Sequence, residues 1–164
     1  MEVDRNTNIM MMVWIILLLL LPGCGQSDKS EPEVHPLLAP AFSEFRRAMD
    51  EFDIDYDRKR ISDIEVVSGK DWPHANIVGL CFTPQIQRIR YTKIQAGEKR
   101  GKIQILETNS IDAMNVTLVH ELGHCLFGLE HSEDPTSIMF PAADYTIYPN
   151  LNAALVGLET ALGH

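Results

Sequence analysis

The stretch His120-Glu121-Leu122-Gly123-His124-Cys125-Leu126-Phe127-Gly128-Leu129-Glu130-His131 carries the densest chemistry in the chain, and Met139 follows eight residues after His131. An α-helix turns about 100° per residue, so His120 and His124 project from one face, a turn apart. Two imidazoles placed that way can each give a nitrogen to a single Zn²⁺ at roughly 2.0–2.1 Å. Glu121 lies about 100° around the helix from His120, near enough to reach a water at the metal without taking a coordination position. Two ligands and a general base are the layout of a zinc site built for hydrolysis. A catalytic zinc needs a third protein ligand and keeps its fourth position open.

A straight helix cannot supply that third ligand. His131 would lie roughly 16 Å along the axis from His120 at 1.5 Å per residue. The chain must turn back, and Gly128 is the residue that adopts the left-handed conformation such a turn needs. Both Glu130 and His131 lie beyond it, and both residue types bind zinc.

At this point the segment resembles the metzincin metallopeptidases, with the matrixin branch closest. Their motif is H-E-x-x-H-x-x-G-x-x-H followed by a Met-turn. His131-Ser132-Glu133-Asp134-Pro135-Thr136-Ser137-Ile138-Met139-Phe140-Pro141 is similar to the matrixin stretch from third histidine to Met-turn. The departure is one inserted residue. Gly128 falls eight positions after His120 instead of seven, and His131 eleven instead of ten, so Glu130 occupies the numerical place of the third ligand. The step from His131 to Met139 stays in register and favours His131. One more helical residue, or a bulge before Gly128, would absorb the insertion.

The resemblance implies a zinc-dependent endopeptidase. His120, His124 and His131 would be the ligands and Glu121 the base, with Met139 a hydrophobic floor beneath the metal. Its protein or peptide substrate would lie extended along an edge strand. Residues 102–106 and 88–94 are the candidate edges, and Tyr145 or Tyr148 would border the specificity pocket. The competing reading is a zinc-bearing binding or adhesion lipoprotein without turnover; Glu121 argues against it, since a binding module needs no base there.

The elements that must position these residues are legible as periodicity. Phe42, Phe45, Ala48, Met49 and Phe52 have helical spacing, which predicts an amphipathic helix over 40–52. Apolar runs at 61–67 and 77–82 read as strands. Residues 88–94 and 102–106 flank the turn at 96–101 and read as an antiparallel hairpin. Asn109-Ser110 can cap a helix whose apolar positions 111, 114, 118, 119 and 122 lead into the histidines and which stops near Gly128. Asn150 opens a last helix, over 150–162. The expected fold class is α+β and zincin-like: a mixed twisted sheet with an N-terminal helix, an active-site helix and a C-terminal helix. Asp53, Asp55 and Asp57 resemble the start of a calcium loop, but Arg58 stands where glycine is needed and Ile64 where glutamate is needed, so a solvated helix end is the better reading.

With 164 residues, one domain is expected. Residues 9–21 form an unbroken apolar run of 13, too short to span a bilayer comfortably and right for a signal-peptide core. It ends in Leu21-Pro22-Gly23-Cys24, which resembles a bacterial lipobox with Cys24 as the lipidated residue. The expected organisation is a signal peptide at 1–23, a flexible tether at 24–36 and a peptidase-like domain at 37–164, held at the cell envelope by the N-terminal lipid. A monomer is the default. Removing residues 1–23 takes away Arg5, Glu2 and Asp4 and leaves 13 basic and 21 acidic side chains, a net charge near −8. That balance argues against nucleic acid as a partner. In an oxidising compartment Cys81 and Cys125 remain as a candidate disulfide, bracing the zinc helix against the sheet.

Overall fold

The computed structural model describes residues 31–72, 74, 77–82, 100–142 and 145–164. The expected strand at 88–94, and with it the hairpin to 102–106, lies outside the described residues, as do the apolar run at 9–21 and Cys24. Among the described residues, no helix is long and apolar enough to cross a membrane.

Four strands form one sheet: β1 (Glu33–Val34), β2 (Ile61–Val67), β3 (Gly79–Phe82) and β4 (Gly101–Leu106), in the order β1-β2-β4-β3. The β1/β2 and β2/β4 pairs are parallel and the β3/β4 pair is antiparallel. Helix α1 (Ala39–Glu51) follows β1. Helix α2 (Ile111–Leu122) runs into a π-helical turn at Gly123–Phe127, and helix α3 (Leu151–Leu162) closes the fold. The architecture is α+β with a mixed sheet, as the periodicity predicts.

Each element follows from its residues. In α1, Pro40 sits in the first turn, where its missing N–H costs no hydrogen bond. Its buried face is Ala41, Phe42, Phe45, Ala48 and Met49, while Arg47 bridges Glu44 and Glu51 on the solvent side. In β4, Gly101, Ile103 and Ile105 are buried and alternate with half-exposed Lys102, Gln104 and Leu106. The sheet therefore has one face on the core and one polar face, where Lys102 pairs with Glu65 at 2.5 Å. Ser110 caps α2 by accepting from the Ala113 amide at 3.2 Å, and Asn150 caps α3 by accepting from the Ala153 amide at 3.0 Å.

Two expectations need correction. Glu33 and Val34 pair with Asp63 and Ile64, and Val34 packs on the core, so the folded body begins before residue 37 and the tether cannot run to 36. A two-residue strand is too short to show as periodicity. Residues 102–106 are no edge either: β4 is paired on both sides, by β2 and by β3. Among the described residues the outer strand beside the active-site helix is β3.

Candidate active site

Helix α2 is buried over most of its length, and His120 and Glu121 are the charged or titratable members of its buried set. His120 and His124 project from one face, as their spacing requires. Their Nε2 atoms lie 3.0 Å apart. Each Nδ1 points the other way, to a backbone carbonyl that can only accept: Ile138 O at 2.7 Å for His120 and Leu129 O at 2.5 Å for His124. The Nδ1 atoms therefore carry the protons, and the two Nε2 lone pairs face one shared point.

The inserted residue is accommodated between His124 and Gly128. The regular helix ends at Leu122, and Gly123–Phe127 widen into a π-helical turn, the form that takes up one extra residue within a helix. Gly128 then adopts the left-handed conformation, φ 70° and ψ 24°. The Gly128 and Leu129 amides donate to the His124 and Gly123 carbonyls, both at 3.1 Å. The chain folds back, and this reversal is what aims the Leu129 carbonyl at His124.

Two residues later His131 enters the cluster. One nitrogen from each of His120, His124 and His131 lies within 4.8 Å of the others. Glu130 is exposed and outside this group. Beneath the cluster the Ile138-Met139 segment turns under the helix. Met139 is buried and its Sδ packs against Gly123, 2.6 Å from where a Cβ there would lie. The Ser132 amide donates to the Met139 carbonyl at 2.9 Å, tying the residue after His131 to the same turn. Ile138 and Met139 thus support the first histidine and the third together.

Burial sets the electrostatics. It pushes the His120 imidazole down to about 4, against the opposing bond from Ile138, with the neighbouring His124 and His131 adding to the lowering. His124 is lowered chiefly for the same reason. Both rings are kept neutral, the form that donates a lone pair to a metal. Glu121 is only 6 % exposed, and burial pushes its carboxyl up to about 8, against the Cys81 backbone amide that donates to it. A carboxyl near neutrality is matched to taking and returning a proton.

The register of β3 explains that amide. The Leu106 amide donates to the Val78 carbonyl at 2.8 Å, so Val78 and Leu106 are a hydrogen-bonded pair. Bonded and non-bonded pairs alternate along an antiparallel ladder. Gly79 opposite Ile105 and Cys81 opposite Ile103 are then non-bonded, and their main-chain groups face outward from the sheet. A disulfide joins Cys81 to Cys125, with their Cα atoms 5.7 Å apart.

Of the two tyrosines, Tyr148 is buried and its hydroxyl donates to the Thr136 carbonyl at 2.6 Å, a packing role. Tyr145 is 41 % exposed and reaches Thr117 Oγ1 at 3.3 Å. Thr117 already donates its proton to Ala113 O at 2.9 Å, so Tyr145 is the donor to it. That contact places Tyr145 beside α2, one turn before Glu121.

The donor set fits zinc. Three imidazoles converge, two of them held neutral by burial and oriented by carbonyls, and an acid stands next to them without joining the cluster. A matrixin family model matches residues 32–154, three-quarters of the chain and every element from β1 into α3. The chain belongs to the matrixin family. Matrixins are zinc-dependent peptidases, so the fold and the triple-histidine cluster agree on a zinc metallopeptidase in general. No curated protein and no solved structure matches this matrixin chain.

Sequence reasoning did not find the carbonyls of Leu129 and Ile138, the Cys81 amide or the role of Gly79. One signal was present: a glycine opening an apolar strand run marks close approach by another part of the chain.

Proposed function

We propose that this matrixin is a lipid-anchored zinc endopeptidase of a bacterial cell envelope. His120, His124 and His131 hold the metal and Glu121 is the general base. The observation that carries this reading is the convergence of the three imidazoles with a buried, near-neutral carboxyl one residue from the first of them. Zinc, when bound, supplies Lewis acidity that polarises a carbonyl and makes water a better nucleophile.

Glu121 accepts the proton of the attacking water and delivers it to the amine that leaves. An extended substrate pairs with the outward main-chain groups of Gly79 and the carbonyl of Cys81 on β3, and Tyr145 borders the cleft on the α2 side. Cys24, lipidated after removal of residues 1–23, anchors the domain through the short tether that follows.

The test uses full-length protein, loaded with zinc or stripped of it, and its Glu121→Ala variant on an unbiased peptide library read by mass spectrometry. Metal-dependent cleavage that the variant lacks is expected. Stoichiometric zinc without any cleavage would move the chain to the class of zinc-bearing binding lipoproteins. For the anchor, intact mass should show an acylated Cys24 that Cys24→Ala lacks; an unmodified Cys24 rules out the lipid.

A further inference from the structure

Three side chains of the active-site helix, Thr117, Glu121 and Cys125, stand four residues apart and all meet β3. Thr117 and Glu121 press on Gly79. A Cβ at that position would lie 2.5 Å from Thr117 Cγ2, 2.7 Å from Glu121 Oε1 and 2.9 Å from Glu121 Cγ. The outward amide of Cys81 lies near enough to Glu121 to favour its charged form. Cys125 closes the row through its disulfide to the same residue. The strand is four residues long and, among the described residues, paired only by β4. Its hold on the helix therefore depends on this row.

We infer that the Cys81–Cys125 disulfide, with Gly79, is a positioning clamp for Glu121. It fixes β3 against α2 so that the Cys81 amide holds the Glu121 carboxylate in place. The inference rests on the proposed role of Glu121 as base. Gly79 permits the approach, since any side chain there collides with the carboxylate itself. The disulfide maintains the approach, since Cys125 lies in the π-helical turn just after His124 and Cys81 carries the amide nearest Glu121. The clamp thus couples the base to the segment that presents the second histidine. Neither Gly79 nor the disulfide touches the reacting atoms; both act through Glu121.

The experiment compares full-length wild type with Cys81→Ala/Cys125→Ala, with Gly79→Ala and with the triple variant, measuring bound zinc, kcat and KM. The Cys81→Ala change keeps the amide and removes only the tether. Expected are equal zinc content, KM within about twofold and kcat lowered roughly 10–100-fold, the scale of a misplaced catalytic group. The triple variant should lose little more than either parent. Wild-type kcat in the cysteine variant, or a loss that follows lost zinc, overturns the inference.

A second readout needs no turnover: hydrogen exchange of the amide at position 81. It should be protected in wild type and faster in Glu121→Ala, in the cysteine variant and in Gly79→Ala. If the wild type cleaves no peptide, the peptidase reading fails and the clamp is judged on this exchange alone. Exchange at position 81 that ignores Glu121→Ala ends it.

Discussion

His120 and His124 sit on a helix, whereas His131 arrives on a loop, and the two arrangements are held by different forces. The first pair needs a helical repeat that runs from α2 into the first residues of the turn at Gly123–Phe127, a Ser110 cap and a buried face. The third histidine needs a π-helical turn, a left-handed Gly128, and the Ile138-Met139 segment beneath it. The difference shows in the spacing. A helix tolerates no change between its two ligands, because one residue rotates a side chain by about 100°. The segment between His124 and His131 accepts an inserted residue, because a π-turn and a loop can redistribute it. The local pair is rigid in sequence and the tertiary ligand is rigid only in space.

Removing a ligand of either kind should have the largest effect. His120→Ala and His131→Ala are each expected to weaken zinc binding by more than the roughly 10–100-fold typical of losing an outer-shell partner. Competition with a chelator of known affinity measures it. Glu130→Ala should leave the affinity unchanged; a loss there matching His131→Ala would reverse the assignment of the third ligand.

The next effect concerns the brace between strand and helix. The disulfide spans 44 residues of sequence, and opening it should cost about 4 kcal/mol on the loop-entropy estimate. Denaturant unfolding of the Cys81→Ala/Cys125→Ala variant checks this, and an unchanged midpoint would mean the brace adds nothing to stability.

A comparison of Glu121 and His120 follows from their opposite shifts in the metal-free protein. The Glu121 carboxyl rises from 4.5 to about 8 on folding. The folded state then binds more protons between those values, so this contribution is present below pH 4.5 and lost as pH rises through about 8. His120 falls from 6.5 to about 4, so its contribution is present above pH 6.5 and lost as pH falls toward 4. Metal-free Glu121→Gln should match wild type near pH 4 and exceed it at pH 8, by an amount on the order of a few kcal/mol. Melting temperatures at the two pH values report it; a constant difference across the range contradicts the shift.

The smallest effect tests the turn. Gly128→Ala meets no atom within 4 Å, so its cost is purely conformational, roughly 1–2 kcal/mol for a left-handed alanine. Zinc affinity should drop with stability, since Leu129 and His131 both follow that turn. An alanine variant as stable as wild type would show that the turn relaxes out of the left-handed region.

How much could be read beforehand varies along the chain. Helices α1, α2 and α3 were legible to within a residue or two, because α1 and α3 each bury one stripe and α2 and α3 carry capping side chains. Strand β1 was not, since two residues carry no period. Of the two candidate edges, 102–106 is excluded, because alternation there looks the same in a strand paired on one side or on both; β4 owes its alternation to one face being polar. The extra residue before Gly128 was visible as a mismatch, but its form was open between a longer helix and a bulge.

Sequence alone determined the histidine pair on one helical face, the glutamate beside it and the register from His131 to Met139, because helical spacing and short loops are local properties of the chain. Only the tertiary structure decided that His131 and not Glu130 meets the pair, which carbonyls orient the imidazoles, and that the Cys81 amide rests on Glu121. Those depend on two strands and a loop, distant in sequence, packing against one helix. No local period records which atoms such packing brings into contact.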